Sequence, residues 1–324
     1  RDQPRSRGLG DVYKRQVFPD QEKDKRAYYS VMYSVPEELL EILERDYDYE
    51  TIDRILASGD SDRPTAIRVN TEKISVTAFS EKLRQNGITV ERGSMNDTSL
   101  LISGYDYIRK VPGFFDGEFV VQDQSSCLAV KAAGINEGDL VVDVCAAPGG
   151  KTMYAAMLTG SEGHVISRDL TDKKTELIEE NIERLGLSNV TVQVHDAREF
   201  DEELTGKADV VIADLPCSGL GIMGRKNDIK YHVSMESVKE LAQLQREILD
   251  TVCRYVKPGG TLVYSTCTID SIENDENAVW FADTHDFSLC GIDDVVPEHG
   301  GERGFVTLHQ GIAVSYTHLR AHET

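Results

Sequence analysis

The sequence contains Val141-Val-Asp-Val-Cys-Ala-Ala-Pro-Gly-Gly-Lys-Thr152, in which an apolar strand pattern runs into a glycine turn and a helix start. In doubly wound α/β sheets such a turn lies at the carboxyl end of a strand, where glycines let the backbone approach a ligand closely. Neither the phosphate-loop spacing GxxxxGK[ST] nor the dinucleotide-loop spacing GxGxxG is present. The stretch therefore predicts a ligand site of another kind at this strand end.

Downstream of Gly138, apolar runs alternate with helical patterns. This alternation predicts a parallel sheet with helices on both faces, because parallel strands are buried on both sides. A Pro-Gly-Gly turn at residues 258–260 precedes the last apolar run. The predicted strands are Leu140–Val144, Val165–Ser167, Val190–Val194, Val210–Ala213 and Thr261–Ser265, and the predicted helices are about Lys173–Leu185 and Met235–Val256.

Upstream, the sequence predicts a helical stretch followed by a small α+β unit. Apolar residues recur at one-face spacing between Tyr28 and Ile55, with a helix-start signal at residues 34–37. The small unit ends near Asp116-Gly117. Its predicted elements are a strand within Pro64–Asn70, a helix over Thr77–Asn86 closed by Gly87, and strands at Ile88–Val90 and Leu100–Ser103.

The charge balance argues against a surface that attracts nucleic acid everywhere. The chain has 56 acidic and 35 basic side chains and a net charge of -21, which repels phosphate. RNA binding would therefore depend on local basic clusters, each of which is otherwise an ordinary solvated surface. The candidate clusters are Lys23/Lys25/Arg26, Arg109/Lys110 and Arg225/Lys226/Lys230.

The sequence offers neither a membrane span nor a metal site. No run of about 18 apolar residues occurs, and no charged-then-apolar leader opens the chain, so the cytoplasm is the expected location. The six cysteines are far apart and show no metal-ligand spacing, which favours reduced thiols.

Acidic residues end two of the predicted strands. Asp169 follows the second strand about twenty residues after the glycine turn, where a carboxylate can accept from both hydroxyls of a ribose. Asp196 follows the third strand, at a position suited to an adenine amine. Either acid alone would more often be a capping or solvated residue. Their placement at successive strand ends predicts an adenosine-bearing cofactor.

Two cysteines lie at the ends of the last two predicted strands. Cys217 belongs to Asp214-Leu-Pro-Cys-Ser-Gly219, and Cys267 belongs to Tyr264-Ser-Thr-Cys-Thr268. Because the carboxyl ends of parallel strands meet at one edge of a sheet, both thiols should face the same crevice. The remaining cysteines are predicted to be small buried hydrophobes, namely Cys127, Cys145, Cys253 and Cys290.

These motifs resemble the Sun-type RNA (cytosine-5) methyltransferases. The resemblance rests on CAAPGGKT (145–152), DLPCSGLG (214–221) and YSTCT (264–268), and it extends to 64–70, VQDQSS (121–126) and RKNDIKY (225–231). The stretch at residues 33–37 further resembles the bacterial branch that modifies small-subunit ribosomal RNA. The resemblance implies a Rossmann-like class I S-adenosylmethionine-dependent methyltransferase sheet, preceded by a small RRM-like α+β subdomain. It also implies a monomer that acts on an unpaired or flipped-out cytosine of 16S ribosomal RNA.

The resemblance also assigns roles to residues of this chain. Cys267 would be the covalent nucleophile, Cys217 would help to release the product, and Asp214 would contact ring nitrogen 3 of the cytosine. The cofactor would be S-adenosylmethionine. The residues that would bind it are Cys145, Ala146, Ala147, Pro148, Gly149, Gly150, Lys151, Asp169, Asp196 and Asp214.

The chemistry requires a thiolate, because carbon 5 of cytosine is a poor nucleophile. Addition of a thiolate to carbon 6 makes carbon 5 enamine-like, so that one difficult step is split into two easier ones. A free cysteine has a pKa near ~8.5, so Cys267 should need local help to ionise. The sequence does not identify that help. Contact with the base edge would select cytosine, and the base must leave its stack to be reached.

Two alternatives remain, and a third is disfavoured by the sequence. A transfer RNA cytosine-5 methyltransferase would have the same motifs, and a truncated, non-catalytic RNA-binding fragment would keep the fold. An amine-directed methyltransferase would need an Asp/Asn-Pro-Pro-aromatic tetrad where this chain has Asp-Leu-Pro-Cys at 214–217.

The domain organisation follows from the pattern and the resemblance together. The ends lack helical or strand periodicity, so residues 1–16 and 314–324 are predicted to be non-native tails outside the fold. Residues 17–62 would be a helical connector from a missing N-terminal RNA-binding domain, and 63–118 the small α+β subdomain. Residues 119–313 would be the methyltransferase domain, without its C-terminal strand and therefore destabilised at that sheet edge. Arg168, directly before Asp169, has no explanation at this stage.

Overall fold

Three short helices come first in the computed structural model, which describes residues 18–57, 64–291, 305–307 and 315–321. They are α1 (Lys25–Tyr33), α2 (Glu37–Leu43) and α3 (Tyr49–Ala57). The helical stretch predicted between Tyr28 and Ile55 is thus divided into three. Ser34 ends α1 in a left-handed backbone conformation, and Pro36 stands at the start of α2. The tail predicted over 1–16 lies outside the described residues.

The three helices pack against the far part of the chain. Apolar residues of α2, among them Leu39 and Leu43, share a core with Leu220 and Ile269. The backbone N–H and the hydroxyl of Ser271 donate to the two carboxylate oxygens of Asp46 at 2.9 and 2.6 Å. The helices therefore support the segment that follows Cys267.

A four-stranded antiparallel sheet with one covering helix follows. Its elements are β1 (Thr65–Val69), α4 (Val76–Gln85), β2 (Thr89–Arg92), β3 (Ser99–Ser103) and β4 (Phe119–Val121), and the strand order is β2-β3-β1-β4. Ser75 caps α4 by accepting from the N–H of Ala78, and the helix buries Phe79 and Leu83. This is the strand order of an RRM-like fold, as predicted. A single 3-10 turn, Ile108–Lys110, lies between β3 and β4, where that fold has a second helix.

The last strand of the small sheet corrects a predicted boundary. Strand β4 pairs antiparallel with β1, and Val69 lies opposite Phe119. The small sheet therefore extends past the predicted boundary between residues 118 and 119. A strand of three residues is too short to show the alternation that identifies longer strands, so the sequence pattern could not reveal it.

Five neighbouring strands of the large sheet are parallel. In chain order the elements are α5 (Gln124–Ala132), β5 (Leu140–Asp143), α6 (Gly150–Thr159), β6 (His164–Asp169), α7 (Asp172–Leu185), β7 (Val190–Val194), β8 (Ala208–Asp214), α8 (Met235–Val252) and β9 (Val256–Thr266). The spatial order is β9-β8-β5-β6-β7. All five strands predicted from the apolar runs are present, with ends that shift by a few residues. The Rossmann-like fold class is confirmed.

Helices cover both faces of this sheet. Val141 on β5 packs with α5 and α6 on one face, while its neighbour Val142 packs with α8 on the other. Neighbouring strand residues point to opposite faces, so near-continuous apolar runs are needed to fill both cores. In the part of the chain that the structure describes, none of the helices combines the length and apolar character that crossing a bilayer takes.

The strand order places a ligand crevice between β5 and β8. From β5 the chain proceeds to β6 and β7 on one side, and afterwards to β8 and β9 on the other. Ligands of doubly wound sheets bind at such a reversal, outside the carboxyl ends of the strands. The glycine turn, Asp214 and both cysteines of the predicted site follow these strand ends.

Beyond β9 the sheet continues with antiparallel strands. The elements are α9 (Asp275–Thr284), β10 (Phe287–Leu289), β11 (Phe305–Thr307) and β12 (Ser315–Ala321), and β12 pairs with β9, β10 and β11. Two predictions differ from this finding, namely that 314–324 lie outside the fold and that this domain lacks its last strand. Residues 315–321 occupy the edge of β9, because an exposed strand edge pairs through its backbone groups with any suitable extended segment.

Candidate active site

Two adjoining cavities lie at the carboxyl ends of the parallel strands. The larger, of about 460 Å³, is lined by the loops that follow β5 to β9. The smaller, of about 170 Å³, lies between the start of α6 and the segment that joins β4 to α5. Cys145, Ala147 and Asp214 line both cavities. The predicted catalytic and cofactor residues are therefore brought to one place.

The glycine turn after β5 forms the wall between the cavities. Gly149 has a φ of 100°, and a Cβ placed on it would lie 2.4 Å from Cε of Met153. The conformation requires glycine, and an added Cβ would also force the end of the Met153 side chain to move. Ala146, Pro148, Gly150 and Lys151 line the smaller cavity, so six of the seven residues predicted between 145 and 151 line at least one cavity.

Asp169 is fixed at the edge of the larger cavity. One carboxylate oxygen accepts from the N–H of Ala147 at 2.9 Å, and the other accepts from the N–H of Leu170 at 2.7 Å and pairs with Lys174 at 2.9 Å. These contacts hold the carboxylate at the mouth of the glycine turn. This is the position that the sequence predicted for a ribose contact.

Asp196 also lines the larger cavity, together with His195 and Ala197. Its two carboxylate oxygens accept from the guanidinium of Arg198, the shortest distance being 2.6 Å. This hydrogen bonding lowers the pKa of Asp196 below its ordinary value. The carboxylate therefore stays ionised, with Arg198 beside it.

Arg168 has a structural role that the sequence did not reveal. Its side chain is buried, with Nε donating to Gln193 at 2.8 Å and Nη2 paired with Asp201. The guanidinium also lies over the ring of Tyr255. Arg168 thus links β6 to neighbouring elements and lies outside the lining of both cavities.

Asp214 is held by two partners at the end of β8. Lys151 Nζ donates to one carboxylate oxygen at 2.6 Å, and the hydroxyl of Ser265 donates to the other at 2.8 Å. Burial lowers the pKa of Lys151, but the attraction and hydrogen bond of Asp214, with help from Asp143, raise it by more. The lysine is therefore a buried, charged donor that orients the aspartate.

Cys217 and Cys267 form the centre of the site, with their Sγ atoms 3.1 Å apart. The backbone N–H of Cys267 also donates to Sγ of Cys217 at 3.1 Å. The hydrogen bond from the Cys217 thiol lowers the pKa of Cys267 below its ordinary value, and Lys151 acts in the same direction, against burial and Asp214. The same hydrogen bond and burial raise the pKa of Cys217. The pair therefore favours a thiolate on Cys267 and a protonated Cys217.

Hydrogen bonds to two residues that the sequence analysis missed fix the loop that carries Cys217. A carboxylate oxygen of the buried Glu273 accepts from the N–H of Ser218 at 2.9 Å and from Nε2 of Gln245 at 3.0 Å. Gln245 Nε2 also donates to the carbonyl of Pro216 at 2.9 Å. These contacts fix the residues immediately before and after Cys217. Glu273 is one of several acids after Cys267, and its burial cannot be read from that run.

Asp143 is a second residue that the sequence analysis missed. It lies on β5, lines the smaller cavity and accepts from the hydroxyl of Thr152 at 2.7 Å. Burial raises its pKa to about 7. Its other carboxylate oxygen, Oδ1, has no hydrogen-bond partner. An acid inside an apolar strand is the signal that could have identified it.

The predicted basic clusters are partly used within the protein. Arg26 pairs with Glu41 and Glu44, and Arg225 pairs with Asp123 at 2.5 Å. The ammonium of Lys230 donates to a backbone carbonyl at 3.4 Å. These contacts reduce the positive charge that the first and third clusters present to a polyanion.

Comparisons with known proteins agree with this arrangement. Residues 131–300 match the model of the family described as 16S rRNA methyltransferase RsmB/F, and residues 35–106 match that of an RsmF/B-like, ferredoxin-like domain. The second match covers the helices α2 and α3 and the small sheet as far as β3, and it ends before β4.

Individual proteins are also similar to this chain in sequence and in structure. A Bacillus subtilis protein named "Probable ribosomal RNA small subunit methyltransferase B" is 37% identical over 78% of this chain and 56% of its own length. A Vibrio cholerae ribosomal RNA small subunit methyltransferase B is 33% identical over 91% of this chain and 68% of its own length. The crystal structure of PH0851 superposes with a TM-score of 0.86 and 29% identity over 98% of this chain and 71% of that one. The chain thus spans between about half and two thirds of the two curated relatives.

Proposed function

Because the chain belongs to the RsmB/F family of 16S rRNA methyltransferases, we propose that it methylates carbon 5 of a cytosine in small-subunit ribosomal RNA, with S-adenosylmethionine as the methyl donor. The observation that supports the proposal is the pair of thiols 3.1 Å apart beside Asp214, in the wall of the larger cavity. One thiol is poised to join the pyrimidine ring and the other to assist its release.

The larger cavity suits an adenosine-bearing methyl donor. Its volume of about 460 Å³ lies within the range of roughly 300–1,000 Å³ that is usual for ligand pockets. Asp169 offers carboxylate oxygens for ribose hydroxyls, and the region of Asp196 provides walls for a base. Bound there, S-adenosylmethionine would supply an electrophilic methyl group. Asp169, Asp196 and the turn from Cys145 to Lys151 would hold it.

The first step is the addition of Cys267 to carbon 6 of the target base. The pKa of Cys267 is lowered by the Cys217 thiol and by Lys151, so a larger fraction is present as thiolate at neutral pH than for an ordinary cysteine. Formation of the sulfur–carbon bond pushes electrons toward carbon 5, which then can accept a methyl group. The close Cys217 thiol thus gives the help with ionisation that the motif alone did not identify.

Asp214 is placed to hold the pyrimidine edge during this addition. Lys151 and Ser265 fix its carboxylate, which leaves the group oriented at the cavity wall. The carboxylate can accept a hydrogen bond from the exocyclic amine, which uracil lacks, and from ring nitrogen 3 of the adduct once that nitrogen carries a proton.

Cys217 would act when the product is released. After methylation, the proton on carbon 5 must leave so that its electrons re-form the ring double bond and expel the Cys267 sulfur. The hydrogen bond to Cys267 is the largest cause of the raised pKa of Cys217. That cause is removed once the Cys267 sulfur is bound to carbon, so the pKa of Cys217 falls and more of it is thiolate, the form that can take the proton from carbon 5.

Trapping of the covalent intermediate tests this mechanism. We expect Cys217→Ala to accumulate a protein–RNA adduct in the presence of S-adenosylmethionine, because the ring is attacked but not released. The adduct is measured by its slower migration on a denaturing gel. Cys290→Ala, which removes a thiol that lines neither of the two cavities, should turn over like the parent protein.

The double variant Cys217→Ala/Cys267→Ser serves as the control. It should form no adduct, because the nucleophile is absent. Adduct formation in the double variant, or full turnover by Cys267→Ser alone, would overturn the assignment of the nucleophile. A non-catalytic RNA-binding fragment would form no adduct in any variant.

The target RNA requires a separate experiment. We expect bisulfite sequencing of RNA from cells that lack the gene to show the loss of one 5-methylcytosine in 16S ribosomal RNA, restored by the full-length gene. Loss of a methylcytosine in transfer RNA instead would support the alternative substrate and exclude the ribosomal one.

A further inference from the structure

Arg68, on strand β1 of the small sheet, is a buried cation that makes no ion pair. Only 1% of its surface is exposed, and no carboxylate of the described residues pairs with it. Its guanidinium lies 4.3 Å from the ring centroid of Tyr154, Nη1 donates to the sulfur of Met157, and Nη2 has no partner. Nε donates to the side-chain oxygen of Gln122 at 2.7 Å. Burying a charged group is costly without compensation, so this arrangement calls for a functional reason.

The arginine determines which way the Gln122 amide faces. A guanidinium has only donors, so the amide oxygen of Gln122 must point toward Arg68 and the NH2 group must point away. Gln122 is 5% exposed, and Nε2 has no hydrogen-bond partner. The side chain lines the smaller cavity. This buried donor at the cavity wall has no acceptor among the described residues, and an acceptor atom of a ligand would satisfy it.

The start of α6 adds further donors beside this amide. A Cβ placed on Gly150 would lie 3.6 Å from Nε2 of Gln122, so the amide lies close to the first residue of the helix. The first N–H groups of a helix have no partner within it, and they favour a negatively charged ligand. The helix has ten residues, and Gly150 and Lys151 both line the cavity. This side of the cavity therefore suits a carboxylate.

Acids in the same cavity provide acceptors for a positively charged group. Asp143 and Asp214 line it, and Oδ1 of Asp143 is an acceptor without a partner. The cavity of about 170 Å³ thus has donors for a carboxylate and acceptors for an ammonium group. This combination matches the zwitterionic end of an amino acid. The cavity also adjoins the larger one through Cys145, Ala147 and Asp214.

We infer that Arg68 is a positioning residue for the cofactor. It fixes the Gln122 amide so that its NH2 group binds the α-carboxylate of S-adenosylmethionine. The small domain thereby contributes to the cofactor site of the large one. The inference rests on the proposed function, and it adds to that function a role for two residues outside the glycine turn.

Two variants separate positioning from general support of the fold. Arg68→Met removes the donor and leaves the Gln122 amide free to turn. Gln122→Glu keeps an acceptor for Arg68 but replaces the NH2 donor with a negative oxygen facing the ligand. Because Gln122→Glu gives the buried arginine a carboxylate partner, its melting temperature should stay the same or rise while cofactor affinity falls.

The experiment measures binding of two ligands to the full chain by calorimetry. S-adenosylhomocysteine has the amino-acid end, and 5′-methylthioadenosine lacks it. Each variant should bind S-adenosylhomocysteine at least about tenfold more weakly than the parent, which is roughly 1.4 kcal/mol. Affinity for 5′-methylthioadenosine should be unchanged within error. Arg246→Met is the matched control, because Arg246 also lies over a ring, that of Trp280, and makes one side-chain hydrogen bond.

The outcomes separate this inference from the proposed function. If the variants bind S-adenosylhomocysteine like the parent, or lose both ligands equally, the positioning role is wrong while the methyltransferase proposal stands. If the parent protein binds neither ligand, the proposed function fails and the inference fails with it.

Discussion

At the scale of single residues, the proton in the hydrogen bond between the two active-site cysteines determines which of them is the thiolate. Cys217 and Cys267 are too close to be independent, with 3.1 Å between their sulfur atoms. The shared hydrogen bond lowers the pKa of Cys267 and raises that of Cys217. The sulfur with the lowered pKa is that of Cys267, which supports its proposed role as the nucleophile.

The pH dependence of thiol alkylation tests this division. A cysteine reacts as its thiolate, so alkylation of Cys267 should increase with pH and level off above its pKa, with a midpoint below that of an ordinary cysteine. In Cys217→Ala the stabilising hydrogen bond is lost, and the midpoint should move to higher pH. The rates are measured by mass spectrometry of the Cys267 peptide. An unchanged midpoint would show that Cys217 does not stabilise the thiolate.

Site residues were predictable from the sequence when the chemistry requires a particular residue type. Cys267, Cys217 and Asp214 follow from motifs at strand ends, and the structure brings them to one cavity. The sequence did not predict Glu273, because an acid becomes important there through burial, and burial depends on elements distant in sequence. Roles that depend on a partner, such as the pairing of Arg168 with Asp201, were missed for the same reason. Asp143 was also missed, although an acid inside an apolar strand was a signal for it.

At the scale of elements, the glycine turn is the most constrained segment of the site. We expect Gly149→Ala to lower the free energy of unfolding by more than 1 kcal/mol, because left-handed backbone costs roughly 1–2 kcal/mol for other residues. The added Cβ would also meet Met153 at 2.4 Å. Urea denaturation measures the loss.

Gly134→Ala provides the matched comparison. Gly134 also has a positive φ, of 64°, but a Cβ there meets nothing within 4 Å. The decrease in the free energy of unfolding of Gly134→Ala should reflect backbone strain alone and be smaller than the decrease for Gly149→Ala. Equal losses would show that the contact with Met153 is readily relieved.

Elements were predictable where their own sequence determines them. The strands β5 and β8 are largely buried, so each appears as an apolar run, whereas the edge strand β7 is partly exposed and alternates valines with polar residues. Strands β4 and β12 were missed, because each is formed through pairing with a neighbour rather than through its own pattern. The break between α1 and α2 in the front segment depends on the left-handed backbone of a single residue, Ser34.

At the scale of the whole molecule, Arg184 joins the two domains. It lies on α7, and its Nη1 donates to the carbonyls of Phe114 and Phe119 at 2.9 Å each. The guanidinium also lies 4.5 Å from the ring centroid of Phe114. A single side chain thus binds both ends of the segment that leads into β4.

We expect Arg184→Met to lower the free energy of unfolding by roughly 1–3 kcal/mol, because it removes two hydrogen bonds from partly buried carbonyls. Urea denaturation followed by tryptophan fluorescence and by circular dichroism measures the change. If the two domains lose contact, the two signals should separate. A single transition at the parent midpoint would contradict the role of Arg184.

Only Gln122 and Asp123 stand between β4 of the small sheet and α5 of the large domain. The same short peptide therefore completes one sheet, lines a cavity and starts a helix of the other unit. The two units are not interchangeable modules, even though each has its own core. A chimera that takes its small domain from a relative would have to take every residue through Asp123, because a join placed before Phe119 would give β1 a foreign neighbour and separate Arg68 from the glutamine it orients.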